Sequence, residues 1–231
     1  MSDRTTEPFR PAGNKRLVVV GIGIGLIALV LVLRFTLPGP GPRPAVSPTP
    51  DGLDRYFTFP VVGGNIDPIV VERERRLFES AVGILRQNQD FFDGWMTIGG
   101  VKKAMGDFAG AAAIWEHAGE IRPGNSVSFN NLGDLYANFS PDPVKAEAAY
   151  RRAISNSSGE DKNAFFWLNL FDLYRYKIMD APKAFAVLEE GIAANPHVGD
   201  LPLRAARYAA TLGDRTTALG YYRAAMKLLP D

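Results

Sequence analysis

The chain has 231 residues, of which 46% are hydrophobic and none is cysteine. That length holds one medium domain with additional segments, and the missing cysteine excludes disulfides, a thiol nucleophile and thiolate metal sites. The formal net charge is +1, and residues 35–231 carry 21 basic against 23 acidic groups, which leaves no basic footprint for nucleic acid.

Residues 1–16 hold Arg4, Arg10, Lys15 and Arg16 against Asp3 and Glu7 and read as a cytoplasmic N-terminal tail. Residues 17–37 are 21 residues with one charge, Arg34. That is long enough to cross a bilayer core of ~30 Å at ~1.5 Å per residue. The segment has no polar face to turn outward, so it predicts an uncleaved transmembrane anchor. Basic residues before it favour a cytoplasmic amino terminus. The rest of the chain is then expected to be periplasmic or otherwise extracytoplasmic, on a single-pass inner (cytoplasmic) membrane. Gly21 and Gly25 form a GxxxG within the span. Such a pair lets two helices approach closely, yet glycine is common in membrane helices generally, so a transmembrane dimer contact and ordinary composition both stand.

Residues 38–50 contain six prolines, which favour an extended spacer. Together 38–66 form a Pro-rich linker and entry segment, whose Tyr56, Phe57, Phe59 and Val61 are expected to pack on the first helix. Asp67 and Pro68 supply an N-cap and a first-turn proline. A leading helix or half repeat is expected over 67–91, with Val70, Leu77, Ala81 and Ile84 on its inner face.

From residue 92 onward one spacing of small, aromatic and proline residues recurs. The first copy has Trp95, Ile98 and Gly99, then Ala111, Trp115, Ala118 and Pro123. The second has Phe129, Leu132, Gly133 and Tyr136, then Ala146, Tyr150 and Ala153. The third has Trp167, Leu170 and Tyr174, then Ala184, Leu188, Gly191 and Pro196; the fourth keeps Ala218, Tyr222, Ala225 and Pro230. Trp95 to Phe129 and Pro196 to Pro230 are both 34 residues. This period and pattern resemble the tetratricopeptide (TPR) repeat family. The resemblance covers 92–231 and implies an all-α fold: a solenoid of antiparallel helix pairs, about four repeats, behind one N-terminal transmembrane helix. Gly106-Asp107 and Gly213-Asp214 sign the turns within the first and last pairs, and Asp142-Pro143 starts a helix alone. In the second and third repeats the leading aromatic stands 17 residues before the alanine (Phe129–Ala146, Trp167–Ala184), against 16 in the first (Trp95–Ala111).

Chemistry is hard to place on this chain. His117 and His197 fall in different repeats with no helical partner at metal spacing, and no nucleophile elbow or phosphate-binding loop occurs. The expectation is a non-enzyme with no cofactor, metal or catalytic residue. Repeats of this family bind other proteins or extended peptides in a concave groove lined by the first helix of each pair. Carried over, that pattern gives Met96, Asn130, Asn131, Asp134, Asp172, Arg175, Tyr176 and Arg207 as groove residues. Leu219, Tyr222 and Leu228 on the last helix form an apolar stripe that either docks a partner or a second copy, or covers its own first helix. The chain also resembles single-span, repeat-bearing proteins that work beside envelope assembly systems. A membrane-anchored interaction scaffold or assembly chaperone is therefore the expected function, with a permanent structural subunit of a larger membrane complex as the alternative.

Overall fold

The computed structural model describes residues 52–60, 66–157 and 162–228, and the regular structure among them is helical. A 3₁₀ turn, Leu53–Tyr56, precedes α1 (Pro68–Leu85), α2 (Phe92–Ala104), α3 (Phe108–Ile121), α4 (Val127–Asn138) and α5 (Pro143–Asn156). Then come α6 (Lys162–Asp172), a π-helical continuation (Leu173–Ile178), α7 (Ala181–Ala194), α8 (Asp200–Thr211) and α9 (Arg215–Met226). Each helix packs chiefly on its neighbours in sequence, which makes a TPR-like solenoid of the pairs α2–α3, α4–α5, α6–α7 and α8–α9.

An aspartate starts the second helix of every pair. Asp107, Asp142, Asp180 and Asp214 each accept a hydrogen bond from the backbone N–H three residues on, at 2.8, 3.1, 3.0 and 3.0 Å. Each satisfies one of the N–H groups that a helix start leaves without an internal partner. The preceding helix ends in two ways. In the first and fourth pairs a glycine in the left-handed region turns the chain, Gly106 at φ 83° and Gly213 at φ 82°. The capping aspartate's own N–H then bonds the carbonyl five residues back, Lys102 or Ala209. In the second and third pairs the bond reaches six residues back, to Tyr136 and Tyr174. The extra residue is taken up by a longer turn after α4 and by the π-helical segment after α6. There the left-handed position falls to Met179 at φ 59°.

Within a pair the helices cross where one has no side chain. A Cβ on Gly99 would lie 2.3 Å from Trp115, and one on Gly133 would lie 2.5 Å from Tyr150. Trp115 and Tyr150 are thereby buried against backbone, and Trp95, Ile98, Ala111 and Ala118 close the first pair's core. Pro123 lends its carbonyl across repeats: Arg152 and Asn156 donate to it at 3.2 and 2.8 Å.

The entry segment is part of this core. Phe57 stacks on Trp95, Phe59 meets Phe78 edge-on, and Tyr56 stacks on His117. The buried Lys102 ties the segment down by donating to the Thr58 carbonyl at 3.1 Å and to Asp107 at 2.9 Å.

Two expectations need correction. The inner face of α1 is Phe78, Ala81, Val82 and Leu85, while Leu77 and Ile84 are 46% and 44% exposed. The entry aromatics and α2 select one of two apolar stripes on that helix. The single-span, membrane-anchored reading is also withdrawn. Among the described residues no helix is long and apolar enough to cross a membrane. The longest, α1, carries Glu72, Arg73, Glu74, Arg75, Arg76 and Glu79, and ionised groups are costly in hydrocarbon. The tail 1–16, the segment 17–37 with Gly21 and Gly25, and the linker 38–50 lie outside the described residues. A transmembrane helix in the fold, a membrane among the partners, and the inner-membrane and periplasmic placement are therefore dropped, as is the membrane-complex alternative.

Candidate functional site

The first helices of the pairs lie side by side, and polar side chains link them from one repeat to the next. Lys103 on α2 pairs with Asp134 on α4, whose other oxygen accepts from Asn138 at 2.9 Å. Asn169 on α6 donates to Asn130 on α4 at 2.8 Å. Arg204 on α8 lies 3.4 Å from the Asp172 carboxylate at the end of α6.

Between α4, α5 and the π-helical segment the surface opens into a cavity of about 340 Å³. Asp134, Ala137, Asn138, Tyr150, Asn169, Asp172, Leu173, Tyr176 and Lys177 line it. The buried Tyr150, Leu173 and Ala137 lie among them, with two carboxylates and two carboxamides. Burial pushes the Asp172 carboxyl above its ordinary value, against the pull of Arg204 and Arg175. Burial likewise pushes the Tyr150 phenol up, helped by the negative charge of Asp134 and Asp172. The cavity thus offers carboxylate acceptors, amide donors and the Lys177 ammonium beside apolar side chains.

Further along, the Arg175 guanidinium is held by aromatic rings, 4.6 Å from the centroid of Tyr176, 5.0 Å from Tyr208 and 5.8 Å from Phe171. Arg204 approaches the same Phe171 ring at 5.8 Å. Cation–π contacts of this kind fix a guanidinium's plane and leave its edge N–H groups open to a ligand.

Of the groove residues expected from sequence, Asp134, Asp172 and Tyr176 line the cavity, and Asn130 joins it through Asn169. Arg175 stands beside it. Met96 packs against the N-terminal core instead, Asn131 is half-buried on α4, and Arg207 is exposed on α8. Asn169, Leu173 and Lys177 were missed. Asn169 lies one turn before Asp172 and Leu173 and two before Tyr176, so helical spacing back from the expected residues points to it. Lys177 had no such signal, because its placement follows from the π-helical winding. On α9, Leu219 is 55% exposed and Tyr222 half-buried, and Leu228, two residues past its end, is 37% exposed. Among the described residues no group of three or more His, Asp or Glu side chains is placed to hold a metal ion.

No family model and no curated protein matches the chain. Among solved structures it is similar to that of MamA, with a TM-score of 0.51 and 16% identity over 71% of this chain and 95% of that one. It is similar also to PilW, described as a widely conserved type IV pilus biogenesis factor, with a TM-score of 0.51 and 18% identity over 70% of this chain and 74% of that one. At these identities the likeness is one of fold. That shared fold is a helical-repeat solenoid.

Proposed function

We propose that this protein is an interaction module that holds an extended segment of a protein partner along the first helices of its repeats. The segment would run over α2, α4, α6 with its π-helical end, and α8. Asn130, Asp134, Asp172, Arg175 and Tyr176 are its central contacts, with Arg207 toward one end. The observation that carries this reading is the cavity beside the π-helical segment. Its carboxylates and carboxamides suit the N–H and C=O groups of an extended backbone, and its apolar lining by Ala137, Tyr150 and Leu173 suits a side chain. Grooves that accept ligands combine an apolar body with a few fixed polar groups in this way.

Selection of displayed random dodecapeptides on the full chain tests it. A recurrent sequence that binds the parent and is lost on Asn169→Ala with Asp134→Ala, at unchanged melting temperature, is expected. Equal enrichment on the double variant would move the binding surface elsewhere.

A further inference from the structure

The cavity and its neighbourhood differ in charge. Around the cavity mouth Asp134 is neutralised by Lys103. One step along, Asp172 is the single carboxylate placed against two guanidiniums, Arg204 by contact and Arg175 through its field. That cluster carries one positive charge more than negative, and the exposed Lys177 and Arg207 add to it. Among the described residues neither Arg175 nor Arg207 forms an ion pair or a side-chain hydrogen bond. The Arg175 guanidinium instead lies within 4.6–5.8 Å of the centroids of three rings, from α6, the π-helical segment and α8.

A guanidinium flanked by aromatic rings, with no carboxylate in ion-pair contact, is a preorganised half of a bidentate pair. Five N–H donors in a rigid fork match a planar carboxylate, and little rotamer entropy remains to be lost when one arrives. We infer that Arg175, with Arg204 beside it, reads an acidic side chain of the partner segment, one position along from the residue that fills the cavity. This rests on the groove reading above and deepens it: the partner segment is acidic at a set register, not merely extended. The Asp172 carboxylate fixes that register. It neutralises Arg204 and repels a second anion from the cavity itself, so the acidic residue is accepted only on the far side, toward α8.

Selection of random dodecapeptides on the full chain, on Arg175→Gln and on Arg175→Glu tests the inference. Aspartate or glutamate is expected at one fixed position in the sequences selected by the parent. On Arg175→Gln that preference should vanish, and the parent's selected peptide should bind on the order of tenfold more weakly or worse. On Arg175→Glu lysine or arginine should take the same position. An Arg175→Lys variant, which keeps the charge without the fork, should retain the acidic preference at reduced affinity, and it replaces the other two if they fail to fold. A recurrent sequence with no acidic position, or one unchanged in the Arg175 variants, overturns the inference and leaves the groove standing. No recurrent sequence on the parent overturns both.

Discussion

Gly133 shows how much rests on a missing methyl group. Its Cα meets the buried ring of Tyr150, a cavity-lining residue, and an added Cβ would sit 2.5 Å from that ring. Overpacking of this sort costs about 1–3 kcal/mol, so Gly133→Ala should lower stability by that amount in urea titrations and weaken peptide binding by displacing Tyr150. Two other tyrosines set an alkaline limit. Burial, then the hydrogen bond to Glu116 at 3.0 Å, pushes Tyr136 up to about 12, and burial with Glu189 does the same for Tyr221. A phenol harder to ionise in the folded state stabilises below its ordinary value of ~10 and loses that contribution as pH rises through the folded one. Melting temperature should therefore fall between about pH 10 and 12, and less steeply in Tyr136→Phe with Tyr221→Phe. Equal slopes would assign the alkaline loss to other groups.

Single elements reveal what sequence made visible. The capping aspartates at 107, 142 and 214 and the crossings at Gly99 and Gly133 were legible, because backbone hydrogen bonding and close approach restrict the residues allowed. Asp180 follows the same logic but hid behind Met179, where glycine would have marked the turn. A left-handed non-glycine residue costs roughly 1–2 kcal/mol, and Met179 is 81% exposed with little burial to lose. Met179→Gly should raise stability by up to ~1 kcal/mol, part of the relief being offset by glycine's greater unfolded-state entropy. A melting temperature that falls would mean the Met179 side chain does more than its exposure implies. The π-helical winding was not legible: Leu173 to Ile178 reads as ordinary helix, and only the 17-residue interval from Trp167 to Ala184 betrays an extra residue. The face of α1 was ambiguous for a different reason. Leu77 and Ile84 compete with Phe78, Val82 and Leu85, and the choice is made by Phe59 and α2, which lie elsewhere in the sequence.

At the scale of the whole molecule, the interior formed by the described residues divides into two clusters. One joins the entry segment to α4 through Phe78, Trp95, Trp115 and Leu135; the other joins α5 to α8 through Tyr150, Leu170, Phe171 and Leu201. Repeats that touch only their neighbours have stabilities that add locally. Removing the fully buried Leu170 side chain should cost about 2–5 kcal/mol and should speed amide exchange in α6–α9 more than in α2 and α3. Uniform acceleration would indicate a single cooperative unit. The candidate groove spans the boundary, with Asp134 in one half and Asp172 in the other, so it forms only when both halves are folded.

The four aspartates that open the second helices also act as phase resets. One surplus residue was absorbed in a loop in one repeat and in a widened coil in another, and both times the next helix restarted in step. Length errors in this architecture stay where they arise instead of propagating down the array, so an insertion can reshape one stretch of groove without disturbing the spacing of the rest.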